Sequence, residues 1–198
     1  MKSGPVSGIF GALFVVTCFA GNLQDGISLH ERKDYAGAAV AFEKGGANGD
    51  REALRRLGFM YYHGEGVAQD NKRAVALFES AAKAGDGESA RNLGTMYEHG
   101  MSVEQNDALA ASWYTVAAEL GEPNAQFAAS VMYYKGQGVT RDRIEAAKWW
   151  NVAMSQGPKW ERRIRPMVAS AEEKLTAEEI AEGRRRAADW LKARSAKN

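Results

Sequence analysis

At 198 residues, with one cysteine, four prolines, 21 glycines and 34 alanines, the chain has the size of one folding unit or of one array of small units. Charged residues make up 26% and apolar residues 45%, close to the globular average, which excludes wholesale disorder. Twenty-six basic and 25 acidic side chains leave a net charge of +1, without the basic excess from which a nucleic-acid binder draws its baseline affinity.

The N-terminus predicts a leader over residues 1–20. Lys2 supplies a single-charge start, Ile9 to Val16 form an apolar run, and Cys18 and Ala20 stand at −3 and −1 of a small-x-small cleavage site before Gly21. The apolar run is short of the ~20 residues that span a bilayer, so export with no transmembrane anchor after cleavage is expected. A periplasmic or secreted location follows. Cys18 offers a second reading as an acylated cysteine: Val15 suits a lipobox, but Thr17 departs from one. Cleavage after Ala20 or acylation at Cys18 leaves no free thiol, so a disulfide framework is excluded.

Self-similarity organises the middle of the chain. Leu57-Gly58 returns as Leu93-Gly94, and Tyr61, Tyr97 and Tyr133 keep the same 36-residue step. Gly64, Gly100 and Gly136 keep it too, as do Val67, Val103 and Val139, then Ala74, Ala110 and Ala146, and finally Gly85, Gly121 and Gly157. Three gapless repeats result, 50–85, 86–121 and 122–157.

Each repeat reads as two short helices. Ala53, Leu57 and Tyr61 recur at i, i+4 and i+8, one helical face, and Gly64-Glu65-Gly66 ends that helix through left-handed backbone. Asp70, Asn106 and Asp142 are placed to cap the second helix, whose buried face carries Ala74, Phe78, Ala81 and Ala82. At the Phe78 position the series continues as Tyr114 and Trp150, beside Leu77, Trp113 and Trp149. Large residues at a fixed repeat position are read as core. The 55 alanines and glycines are thereby divided between close helix contacts and turns.

Asp34, Ala38, Phe42 and Gly49 echo Asp70, Ala74, Phe78 and Gly85, with room before them only for a short helix around Leu23 to Glu31. Residues 21–49 are therefore expected to be a degenerate N-terminal capping repeat. After Gly157 the period stops. A helix from Lys159 or Trp160 towards Leu175, kinked or split at Pro166, and a last helix opened by a Thr176–Glu179 capping box are expected to cap the other end over 158–198.

The strings LGFMYYHGEGVAQD (57–70) and ASVMYYKGQGVTRD (129–142) resemble the Sel-one-like repeat (SLR), a relative of the tetratricopeptide repeat. Residues 50–157 match its pattern along their whole length. Ser89 and Ser102 replace the first Ala and the second loop Gly in the second repeat, and Ala129-Ser130 replaces Leu-Gly in the third. The resemblance implies an all-α, right-handed α/α superhelical solenoid acting as a scaffold for protein–protein interaction, with a protein or peptide partner.

In tetratricopeptide-like arrays the first helix of each repeat lines the concave face. That assigns partner binding to Glu52, Arg55, Phe59 and Tyr62 in the first repeat. Their counterparts are Glu88, Arg91, Thr95 and Glu98, then Asn124, Phe127, Val131 and Tyr134. Aromatic residues and arginine are the usual anchors of such surfaces. The alternative is that Phe59, Tyr62, Phe127 and Tyr134 only pack between helices.

No chemistry stands out. His63 and His99 share a repeat position that Lys135 fills in the third repeat, and with His30 they read as solvated surface, short of the three or four ligands a metal needs. Arg184-Arg185-Arg186 follow Glu178, Glu179 and Glu182 by about a turn, the spacing of paired charges on an exposed helix. Nucleophile elbow, His-Glu-x2-His and phosphate-loop patterns are missing from the sequence. Some disulfide-rich relatives are linked to β-lactam hydrolysis, but that resemblance rests on paired cysteines that this chain lacks. The expectation is therefore no enzyme, no cofactor and no metal, with a lipid-anchored envelope scaffold or an envelope hydrolase as the alternatives.

Overall fold

The computed structural model describes residues 22–196; the leader over 1–20, its cleavage site and Cys18 lie outside the described residues. The described residues are helical throughout, without a strand. In chain order the helices are α1 (22–31), α2 (Tyr35–Ala47), α3 (Arg51–His63), α4 (Asn71–Lys83), α5 (Gly87–His99), α6 (Asp107–Glu119), α7 (Pro123–Lys135), α8 (Arg143–Met154), α9 (Pro158–Glu172) and α10 (Ala177–Ser195). They fall into two bodies, one ending at Gly85 and one beginning at Asp86.

Helix starts follow from side-chain caps. Asp50 accepts from the backbone N–H groups of Glu52 and Ala53 at 2.9 and 3.0 Å. Asp34, Asp70, Asp86, Asn106, Glu122 and Asp142 cap α2 and α4–α8 in the same way. Each such cap is worth roughly 1 kcal/mol, so the repeat lengths are written into these residues. The first helices of the three repeats end on Gly64, Gly100 and Gly136, with φ of 72°, 65° and 73°.

The loop that follows folds back on the helix it leaves. The N–H of Asp70 donates to the Tyr61 carbonyl, as Asn106 does to Tyr97 and Asp142 to Tyr133. A side chain one residue earlier caps the next carbonyl: Gln69 to Tyr62, Gln105 to Glu98 and Arg141 to Tyr134, at 2.8, 2.9 and 3.0 Å.

In the first body, α2, α3 and α4 pack in succession around Ala38, Phe42, Ala53, Leu57 and Met60, with Leu23, Ile27 and Tyr35 against them. Phe78 is buried over Gly58, where a Cβ would stand 2.8 Å from its ring. The small residue is what lets the aromatic in. Tyr114 lies over Gly94 in the same way in the second body. Ser130, at the third such position, is buried and donates its hydroxyl to the Phe127 carbonyl at 2.7 Å.

In the second body, α5–α8 pack in succession, and α8 also carries α9 and α10. Its closing core holds Ala146, Ala147, Trp150, Ala153, Ile164 and Val168. Helix α9 begins one residue ahead of expectation, with Pro158 in its first turn, and runs unbroken through Pro166. The exposed side of the helix accommodates that ring. Helix α10 opens on the expected capping box of Thr176 and Glu179. Gly183 seats it directly against Ala147, leaving no room for a Cβ.

Candidate interaction site

In the first body, the caps and the Ala53–Leu57 stripe turn one edge of α3 inward and leave Glu52, Arg55, Phe59 and Tyr62 half-buried on the adjoining edge. Glu52 accepts from Arg56 at 2.9 and 2.8 Å and lies 3.9 Å from Arg55. The Phe59 ring meets Phe78 edge-on at 5.1 Å and stacks on His63 at 6.3 Å, while Tyr62 meets His63 edge-on at 5.0 Å. Phe59 therefore has two sets of neighbours. It packs on the core, and it also lines a cavity of about 240 Å³ with His30, Phe42, Arg56, Met60, His63 and Glu65. His30 and Glu65 close that cavity with a 3.2 Å contact.

On α5 the predicted residues are held within the second body. The Arg91 guanidinium lies 3.3 Å from Glu122 and 3.9 Å from Glu88. The buried Tyr114 hydroxyl stands 3.0 Å from the Thr95 hydroxyl and donates to Glu98 at 2.7 Å. Burial foremost, with the Glu98 carboxylate adding to it, pushes the Tyr114 hydroxyl up to about 12. The tyrosine therefore stays neutral across physiological pH and acts as a hydrogen-bonding strut between α6 and α5.

Helix α7 behaves differently. Phe127, Val131 and Tyr134 all line one cleft of about 230 Å³ between α7, α8 and α9. Ser130, Lys135 and Trp150 line it as well, and α9 supplies Met167, Val168 and Ala171. Met167 is 51% exposed, a large apolar side chain left in water beside an apolar cleft. The Arg141 guanidinium lies 5.7 Å from the centre of the Tyr134 ring, a cation on the π face. The structure thus brings the three α7 residues together and leaves Arg91, Thr95 and Glu98 out of this cleft, engaged in contacts of their own.

The α9 wall escaped the reading of the repeats because it lies beyond the 36-residue period. Its signal was present: Ile164, Val168 and Ala171 recur at i, i+4 and i+7, which marks a helix with a packed face.

The remaining candidates resolve locally. His63 and His99 are exposed, and among the described residues no group of three or more His, Cys, Asp or Glu could hold a metal. Arg184 pairs with Glu172, Arg185 with Glu182 and Asp189, and Arg186 with Glu182 and Glu145. Hydrogen bonds from Arg185 and Arg186 hold the Glu182 carboxyl down to about 2. No helix among the described residues is long and apolar enough to cross a membrane.

Comparison with known proteins agrees with this architecture. The Sel1 repeat model matches residues 51–86, 87–122 and 123–158, more than half of the chain. A Sel1 repeat protein from Oxalobacter formigenes superposes with a TM-score of 0.59 at 33% identity, over 64% of this chain and 96% of that one. A protective antigen of uropathogenic Escherichia coli strains, which displays an SLR fold, superposes with a TM-score of 0.70 at 30% identity. That likeness covers 86% of this chain but only 38% of the antigen. Among curated proteins, none matches the sequence. Three matched repeats, ten helices without a strand among the described residues and two solenoid neighbours at 30% identity or more together make this chain a member of the Sel1 repeat family, an all-helical solenoid of the scaffold type.

Proposed function

We propose that the chain is an exported, non-enzymatic scaffold that binds a protein or peptide partner through the face built by the first helices of its repeats, the concave face of the solenoid. Sel1 repeats imply protein partners in general, and fold by itself does not fix which. The observation that supports this face is the cleft on α7. Phe127, Val131 and Tyr134, chosen as outward positions of a first helix, share one apolar opening with the exposed Met167. A half-open cleft lined by aromatic and aliphatic side chains is how peptide anchors are held.

The test is pull-down with Phe127→Ala, Val131→Glu and Tyr134→Ala, in variants whose helical circular dichroism matches the parent. Loss of captured partners supports the reading, and unchanged capture overturns it. Parallel substitution of Arg55, Phe59 and Arg91 asks whether binding extends along the first helices. Export rests on the leader over 1–20, and places the protein in the periplasm or outside the cell. Mass analysis of the mature N-terminus separates cleavage before Gly21 from lipid attachment at Cys18.

A further inference from the structure

The cleft between α7, α8 and α9 carries charge information as well as shape. Among its described lining residues Lys135 is the one charged side chain, and no carboxylate lines it. Arg141 lies over the ring of Tyr134, a lining residue, and spends one donor on that residue's carbonyl. Arg163 precedes Met167 by one helical turn, so their side chains are neighbours, and it stacks on Trp160 at 5.1 Å. Among the described residues none of these three cations has a carboxylate partner. Of the other cations of this body, Lys159, Arg162, Lys174, Lys192 and Arg194 also have no carboxylate partner among the described residues. Arg143, Lys148, Arg165, Arg184, Arg185 and Arg186 are all ion-paired.

Trp150 adds an aromatic floor to the cleft, only 3% exposed.

Resting on the scaffold reading above, we propose that this cleft is the docking site for an acidic peptide segment, with one bulky apolar side chain as its anchor. The anchor fills the space between Phe127, Val131, Tyr134 and Met167. Flanking Asp or Glu side chains meet Lys135, Arg141 and Arg163. Desolvated apolar contact supplies the holding energy, while the cationic rim selects the sign of the flanks and speeds the encounter. A site of about 230 Å³ takes one side chain or two, which suits a short linear segment.

The experiment pans random dodecapeptides displayed on phage against the full chain. The recovered peptides are then measured by fluorescence anisotropy on the parent and on two variants. Lys135→Glu/Arg163→Glu reverses the rim at two exposed positions, at the cost of the Arg163 stack on Trp160, and Val131→Glu blocks the anchor space. Recovered peptides should combine an aromatic or large aliphatic residue with net negative charge, and lose about tenfold or more in affinity on either variant. Recovered peptides with no acidic excess would overturn the proposal, as would affinity retained on both variants. In those cases binding lies elsewhere and the general scaffold reading survives. Recovery of no peptide at all, or binding only to vesicles of anionic lipid, would sink both.

Discussion

The indole Nε1 of Trp190 donates to the Glu119 carboxylate at 2.6 Å, joining the last helix to the end of α6 across 71 positions of chain. Beside it Arg194 donates to the carbonyls of Glu119 and Leu120 at 2.8 and 2.6 Å, satisfying acceptors that the end of a helix leaves open. The Trp190 ring meets Trp149 edge-on at 5.6 Å. Replacing Trp190 with Phe keeps a ring on Trp149 but removes the donor. We expect the unfolding free energy of the second body to fall by about 1 kcal/mol, and a double-mutant cycle with Glu119→Gln to show coupling between the two. Urea denaturation followed by circular dichroism reads both values, and additive effects would deny the link.

Ser89 stands where the other repeats have Ala53 and Ala125, fully buried, and its hydroxyl has no partner among the described residues. Ser89→Ala removes an unsatisfied polar atom and adds helix propensity. The expected result is a gain of about 1 kcal/mol, visible as a Tm higher by several degrees. A loss of stability would mean that the hydroxyl is bonded.

Ser102 holds a φ of 66°, a conformation that Gly66 and Gly138 adopt at the corresponding positions of the other repeats. Side chains with a Cβ are strained there by about 1 kcal/mol. Ser102→Gly should therefore stabilise the loop, offset in part by the entropy glycine loses on folding. Gly138→Ala should act in the opposite sense and more strongly, because a Cβ there runs into the backbone of Asp107. Thermal melts of the two variants should move in opposite directions.

Tyr114 sets a limit on alkaline stability. Its hydroxyl ionises at about 12 in the fold against 10.0 ordinarily, so folding favours the protonated form. That contribution is complete below pH 10 and is lost as pH rises through 12, the sign expected for a raised pKa. Tyr114→Phe should remove this component of the pH dependence. Absorbance titration of the parent at 295 nm should show one of its seven tyrosines ionising after the rest, and the variant should lack that late step.

Much of this architecture was legible because it repeats. Gly64, Gly100 and Gly136 end their helices and Asp70, Asn106 and Asp142 start the next, as their 36-residue spacing predicted. Phe78, Tyr114 and Trp150 are buried, in line with their reading as core. The Gln69, Gln105 and Arg141 caps kept the same step and went unread, since two residue types share one role there. What does not repeat was hidden. Thr95 and Glu98 bond to Tyr114 in the second repeat alone, where the other repeats have Phe59 and Tyr62, or Val131 and Tyr134. Met167 belongs to a helix outside the period, so only its packing on α7 and α8 brings it to the cleft.

The clasp of α10 also bears on how such a chain can change length. Helix α10 touches two successive repeats at once, through Glu119 of the second and Trp149 of the third. A 36-residue duplication inserted ahead of Asp86 leaves both contacts as they are. A copy of 122–157 inserted between Glu119 and Lys148 would put the counterpart of Ser155 where Glu119 now stands and remove the acceptor of Trp190, whereas a copy of 86–121 would supply another Glu119. Growth ahead of Asp86 therefore leaves the clasp of α10 intact, together with every lining residue of the cleft on α7, α8 and α9.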